Sequence, residues 1–314
     1  MLTSLVVLAS FVACDGEGGG ATGGGGVGGT ASSTGSATVS TTATTDSTTA
    51  GATGGGGNAP EPPPFDEIPW STGDDVGYGV AFKDTQNPLG EAAFIGYAGY
   101  QIPLETSEAW VREVYLQALQ QRGVRYVFAV QGPADVTYAG FEIGNSKIAA
   151  SLSTLLSPSS QFVLVLGHSS GSYVAHELIS QLAGGFDTTG VTNDKLVYFN
   201  LDGAVGGLDG TSVDRLRKAY FVGAVDGTTG TGSPNLPSMQ NGGATYQDKG
   251  GYIELDVSGS GCNPGATWCV HMTLITTLPH DPADASGILD YSDFEGRPVS
   301  RDFIDDKAME ADLD

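Results

Sequence analysis

The segment Gly167-His168-Ser169-Ser170-Gly171 lies between an unbroken apolar run at 162–166 and a helix-like stretch at 172–183. A serine on so tight a strand-to-helix turn takes a strained backbone conformation, and glycines two residues to either side leave space that Cβ atoms would fill. The motif alone is weak. In a chain with 48 glycines, roughly one such match is expected by chance, so the flanking strand and helix carry the inference. Together they require an α/β unit and make Ser169 the candidate nucleophile.

The same alternation runs through residues 65–314, a segment long enough for one domain with a full-sized core. Strands are expected at 91–97, 125–130, 161–166, 195–201, 218–225 and 251–257. A helix capped by Ser107 runs to about residue 121, with Trp110, Val111, Val114, Tyr115 and Ala118 on one face and Gly123 as its stop. A second begins at Asn145 or Ser146 and runs through 156, and a short helical stretch is expected at 213–217. Apolar strands separated by helices predict a mostly parallel sheet covered on both faces. Residues 65–78 carry no clear signal, and residues 227–243, rich in Gly, Thr, Ser and Pro, read as a mobile rim.

Residues 1–13 hold a short apolar segment, too brief to span a bilayer as a mature helix, and read as a signal peptide. Phe11-Val12-Ala13-Cys14 resembles the lipobox of bacterial lipoproteins, which implies lipidation of Cys14 and attachment to the cell envelope; simple secretion after cleavage near Ala13 is the alternative. Residues 14–64 are almost entirely Gly, Thr, Ser, Ala and Pro and cannot bury a core, so they form a disordered tether. A flexible chain of ~50 residues holds its cargo roughly 40 Å from an anchor. If Cys14 is lipidated, Cys262 and Cys269 remain as an even pair able to close a short loop in an oxidising compartment. Such a loop contributes at most about 2.5 kcal/mol, so its value is local. Two cysteines and one nearby histidine fall short of a zinc ligand set, and neither metal nor cofactor is expected.

The formal net charge is −23, and four acidic residues precede Phe65 without a base among them, which leaves about −19 on the remainder. Nucleic acid is excluded as a partner. An acidic surface also repels anionic substrates and favours neutral ones.

From residue 76 onward the chain resembles the α/β hydrolases, in which the nucleophile follows the fifth strand of the core sheet and the order is serine, acid, histidine. The resemblance implies an exported serine hydrolase acting on small or polymeric carboxylic esters through an acyl-enzyme. A peptidase, an acyltransferase, or a non-catalytic surface-binding module on the same fold are the alternatives. Among four histidines, only His271 and His280 follow the last expected strand, and His271 is preferred because the Cys262–Cys269 loop would fix it. His168 is expected to pack beneath the turn, and His176 to point away along the following helix. The acid is Asp226, which ends a strand in Gly223-Ala224-Val225-Asp226, or alternatively Asp202, one strand earlier in Asn200-Leu201-Asp202. The oxyanion donors implied are the Ser170 amide and that of Tyr97 or Ala98, in the glycine-bearing loop Gly96-Tyr97-Ala98-Gly99-Tyr100.

Overall fold

The architecture comes from a computed structural model that describes residues 65–68, 79–84, 92–133, 141–156, 162–182, 194–203, 214–276 and 299–313. The signal segment, Cys14, the tether and His280 lie outside the described residues. Nine strands form one sheet: β1 (Phe65–Ile68), β2 (Gly79–Asp84), β3 (Ala92–Tyr97), β4 (Val124–Val130), β5 (Val163–His168), β6 (Leu196–Leu201), β7 (Leu216–Asp226), β8 (Thr231–Gly232) and β9 (Gly250–Asp256).

The order across the sheet is β1-β2-β4-β3-β5-β6-β7-β8, with β9 on the remaining edge of β7. Strands β3 to β7 and β9 run parallel, while β1 and β2 add antiparallel at one side. Every residue of β3, β5 and β6 is buried, as expected of parallel strands with both faces covered. Alternate side chains feed two cores. Phe94, Leu164, Leu166 and Phe199 belong to one, with Trp110 and Tyr115 from the helix that starts at Leu104. Ile95, Val163, Val165 and Tyr198 belong to the other, with Ile148, Leu152, Val174 and Leu178 from two helices on the opposite face.

Several local expectations are corrected by tertiary contacts. The first helix begins at Leu104, after Pro103, and Ser107 sits inside it, its hydroxyl donating to the carbonyl of Val130 at 2.7 Å. That helix widens to π geometry over Val111–Leu116 before ending at Gln120, and Gly123 follows at φ 79°. The helix expected from Asn145 or Ser146 starts earlier, spanning Phe141–Leu155. Asn145 bonds instead across the fold, accepting from the Tyr97 hydroxyl at 2.7 Å and donating to Val174 at 2.9 Å. Of the helical stretch expected at 213–217, Asp214 and Arg215 are the helical ones among the described residues, because β7 already begins at Leu216.

The expected mobile rim is scaffold. Its residues make a turn, β8 and the helix Leu236–Thr245, which buries Met239 and lies so close to β9 that a Cβ on Gly243 would come within 2.3 Å of Tyr252. Gly243 there allows close packing, while Gly230 takes φ 70° in the turn.

One feature of register sets up the site. Strand β7 pairs with β6 only as far as Val222, then continues to Asp226. Because β9 occupies its other edge, the turn after Asp226 folds β8 back along the edge that β6 has left. The chain just beyond β8 therefore hangs over the carboxyl end of β6, where Asp202 stands.

Candidate active site

Ser169 follows β5 directly, in the left-handed region at φ 53°. An L-residue with a Cβ is costly there, so the surrounding contacts must hold it. The Ser169 amide donates to Leu201 at 3.1 Å, and its carbonyl accepts from Ser172 at 3.1 Å as the helix Gly171–Gln181 begins. The glycines leave room for this turn. A Cβ on Gly167 would come within 2.6 Å of the Ser172 Cα, and one on Gly171 within 2.3 Å of the Ala98 carbonyl oxygen. Ser172 adds a second fastening, its hydroxyl sharing its one proton between the Gly167 carbonyl at 3.0 Å and the Asn200 side-chain oxygen at 2.9 Å. The same Asn200 oxygen accepts from the Gly203 amide at 2.9 Å, which ties the turn after β5 to the loop after β6.

Asp202 ends β6, fully buried and also left-handed, at φ 43°. Its amide donates to Val222 at 2.8 Å, and its carbonyl accepts from the Asn235 side chain at 2.8 Å. Its carboxylate has two partners: Oδ1 accepts from the Ser233 hydroxyl at 2.8 Å, and Oδ2 accepts from His271 Nδ1 at 2.5 Å. Each carboxylate oxygen therefore has a donor facing it.

His271 lies on the short helix Thr267–Met272, fully buried. The Cys262–Cys269 disulfide closes just before it, with a sequence separation of 7, and pins the start of that helix to the loop after β9. Its ring is held on three sides. Asp202 takes Nδ1, Trp268 stands at 86° with ring centroids 5.2 Å apart, and His168 stacks at 4.5 Å with the planes 32° apart. The remaining ring nitrogen, Nε2, is buried without a hydrogen-bond partner among the described residues. A bond from Nδ1–H to a carboxylate selects the tautomer in which Nε2 carries a lone pair. The ring that carries it lies against His168, the residue that precedes Ser169.

The two candidate acids are thus separated. His271 is joined to Asp202, not to Asp226. Asp226 closes the turn after β7, its carboxylate accepting from the amides of Thr228 at 2.8 Å and Thr229 at 3.2 Å. This is the ordinary work of an aspartate before glycine. The physical reason is reach: β7 outlasts β6, so its end has gone past the level of the Asp202 loop.

The expected oxyanion donors divide. The Ala98 amide already donates to Val130 at 3.2 Å, and Tyr97 is still in the ladder between Val130 and Gly167, its hydroxyl turned to Asn145. The Ala98 amide is thus already engaged. Ser170, in contrast, precedes the helix Gly171–Gln181, where the first amides have no carbonyl one turn back to accept them. His176 is buried against Tyr198 at 5.2 Å on the opposite face of the sheet from His168.

Ser233, Asn235, Asn200, Ser172 and Trp268 were not singled out by sequence. Asn200 carried a signal, as a polar residue between Phe199 and Leu201 in an otherwise apolar strand. Ser233 and Asn235 carried none, since they sit in a stretch whose composition matches any polar loop. Among the described residues, no three His, Cys, Asp or Glu groups gather as a metal site, and no helix is long and apolar enough to cross a membrane.

A mostly parallel sheet ordered β1-β2-β4-β3-β5-β6-β7-β8, with a core on each face, agrees with the α/β hydrolase architecture expected from the sequence. Among solved structures, a dienelactone hydrolase from Anabaena variabilis is similar at 14% identity and TM-score 0.38, over 61% of this chain and 83% of that one. A dienelactone hydrolase-like promiscuous phosphotriesterase from metagenomic libraries is similar at 12% identity and TM-score 0.42, over 80% and 96%. No protein-family model matches the chain, and no curated protein matches it by sequence.

Proposed function

We propose that the protein is a serine hydrolase that cleaves carboxylic esters through an acyl-enzyme, with Ser169 as nucleophile, His271 as general base and Asp202 as the acid that orients it. The observation that carries this is the buried His271–Asp202 hydrogen bond with Nε2 left unbonded, on a ring stacked against the residue before Ser169.

Serine is a weak nucleophile until a base takes its proton in the transition state. As the Ser169 oxygen attacks the ester carbon, its proton passes to His271 Nε2 and the carbonyl electrons move onto oxygen. Asp202 stabilises the imidazolium without taking its proton. The negative oxygen is met by the Ser170 amide at the start of the helix Gly171–Gln181, where the backbone dipole also favours an anion. His271 then returns its proton to the leaving alcohol, and water, activated by the same base, releases the acid. The acidic surface favours neutral esters over anionic ones.

The test is hydrolysis of p-nitrophenyl acetate and butyrate by the full chain beside Ser169→Ala and His271→Ala. Turnover that falls by several orders of magnitude in both variants supports the mechanism; turnover equal to the Ser169→Ala background refutes it. We propose further that the protein is exported and anchored to the bacterial envelope through Cys14, which the lipobox-like segment and the long tether support. Cys14→Ser then moves it to the soluble fraction, and unchanged partitioning refutes the anchor.

A further inference from the structure

His168 has a place in the site that its position before the nucleophile does not explain. As the last residue of β5 it is fully buried. Its ring lies between Trp110, at a centroid distance of 6.5 Å, and His271, at 4.5 Å. It also hydrogen-bonds the backbone of His271. One side chain therefore touches both the ring and the main chain of the proposed base, and does so from the residue covalently joined to the proposed nucleophile. Any movement of the Ser169 turn relative to the His271 helix has to break this contact.

Resting on the serine-hydrolase reading above, we propose that His168 is a positioning residue, which sets the plane of the His271 imidazole and presents a neutral aromatic face to the imidazolium that forms when Ser169 gives up its proton. With the centroids 4.5 Å apart and the planes inclined at 32°, the His168 ring limits how far the His271 ring can turn toward it. A cation beside the face of a neutral aromatic ring is stabilised, whereas two imidazolium rings at this separation would repel. Burial is the main cause holding the His168 imidazole well below its ordinary 6.5, with repulsion from a charged His271 second and the bond to the His271 backbone opposing both. His168 thus stays uncharged while His271 cycles. The titratable group that faces it is His271, with Asp202 behind that ring; Trp110 on its other side is not titratable.

The experiment compares the full chain with His168→Leu and His168→Phe, reading kcat, KM and the pH profile of kcat/KM on p-nitrophenyl acetate, with melting curves as a check on folding. Leucine keeps apolar bulk without an aromatic face; phenylalanine keeps the face without the hydrogen bond. In His168→Leu, kcat is expected to fall about tenfold or more with KM nearly unchanged, and the acid limb of the profile to move about half a pH unit lower as the imidazolium loses its support. In His168→Phe the limb stays where the wild type has it and kcat recovers most of the loss. A folded His168→Leu with wild-type kcat and limb overturns the proposal, as does a His168→Phe whose limb moves as leucine's does. Should leucine fail to fold, the phenylalanine limb alone decides, unmoved in favour and moved against. Absence of Ser169-dependent turnover in the wild type is a separate result, which overturns the serine-hydrolase reading and this role with it.

Discussion

Exchanging Asp202 and Asp226 for asparagine, one at a time, separates the two acids with little change of shape. At Asp202 the buried carboxylate accepts from both His271 and Ser233. Asparagine offers one oxygen and one NH2 in the same space, so one of these donors loses its acceptor. If the NH2 faces His271, Nδ1 becomes the acceptor, the ring proton sits on Nε2, and that nitrogen can no longer take the proton of Ser169. Loss of the correct tautomer and of the charge behind the imidazolium costs about 10⁴-fold in kcat in a triad of this kind, which is about 5 kcal/mol at 1.36 kcal/mol per tenfold. Backbone strain does not confuse the comparison. Asp202 is left-handed at φ 43°, a conformation asparagine accepts more readily than alanine does. At Asp226, by contrast, Oδ1 alone accepts from the Thr228 and Thr229 amides. Asparagine keeps that oxygen, so kcat is expected to stay within about threefold and stability within about 1 kcal/mol. The assay is steady-state hydrolysis of p-nitrophenyl butyrate by the full-length variants, with circular dichroism to confirm folding. A larger loss in Asp226→Asn than in Asp202→Asn refutes the assignment.

Ser233→Ala removes the donor to Asp202 Oδ1 and is expected to lower kcat about tenfold, since a hydrogen bond to a charged group contributes about 1.5–3 kcal/mol; wild-type kcat would refute a part for Ser233 in holding the acid. Gly171→Ala forces a Cβ to within 2.3 Å of the Ala98 carbonyl, so denaturant unfolding should show a loss of about 1–3 kcal/mol; an unchanged midpoint would mean the contact relaxes freely. Acid stability follows from His168, whose folded form resists protonation while the unfolded chain takes a proton near 6.5. The unfolded state then binds more protons below that pH, so stability is full above about 6.5 and falls as pH drops, by at most ~1.4 kcal/mol per unit. The slope of unfolding free energy between pH 6.5 and 5 should be shallower in His168→Phe, and an equal slope in both proteins would assign the loss elsewhere.

Much of the sheet was legible because parallel strands buried on both faces must be almost wholly apolar over about six residues, and β3, β4, β5, β6 and β7 stand out from their surroundings for that reason. The serine turn was legible too, since its two glycines stand where the junction crowds against Ser172 and against the Ala98 carbonyl. The antiparallel strands β1 and β2 and the two-residue β8 left little trace, being short or dependent on a partner. Ser107 and Asn145 read as helix starts because a small polar residue before an apolar face is a capping signal. Both instead spend their hydrogen bonds on distant partners, Val130 and Val174 among them.

The order of serine, aspartate and histidine along the chain belongs to the sequence by itself, as do the two acids that end neighbouring strands. Which acid meets His271 was decided only by tertiary structure. Asp202 and Asp226 look alike locally, each closing a strand before a glycine. The difference lies in how far β7 runs past β6 and in the return of β8 along the vacated edge, which brings Ser233 and Asn235 over Asp202 and leaves Asp226 to its own turn. Strand overhang is a relation between strands. No window of sequence contains it, because the energy that sets it comes from pairing and packing across the sheet.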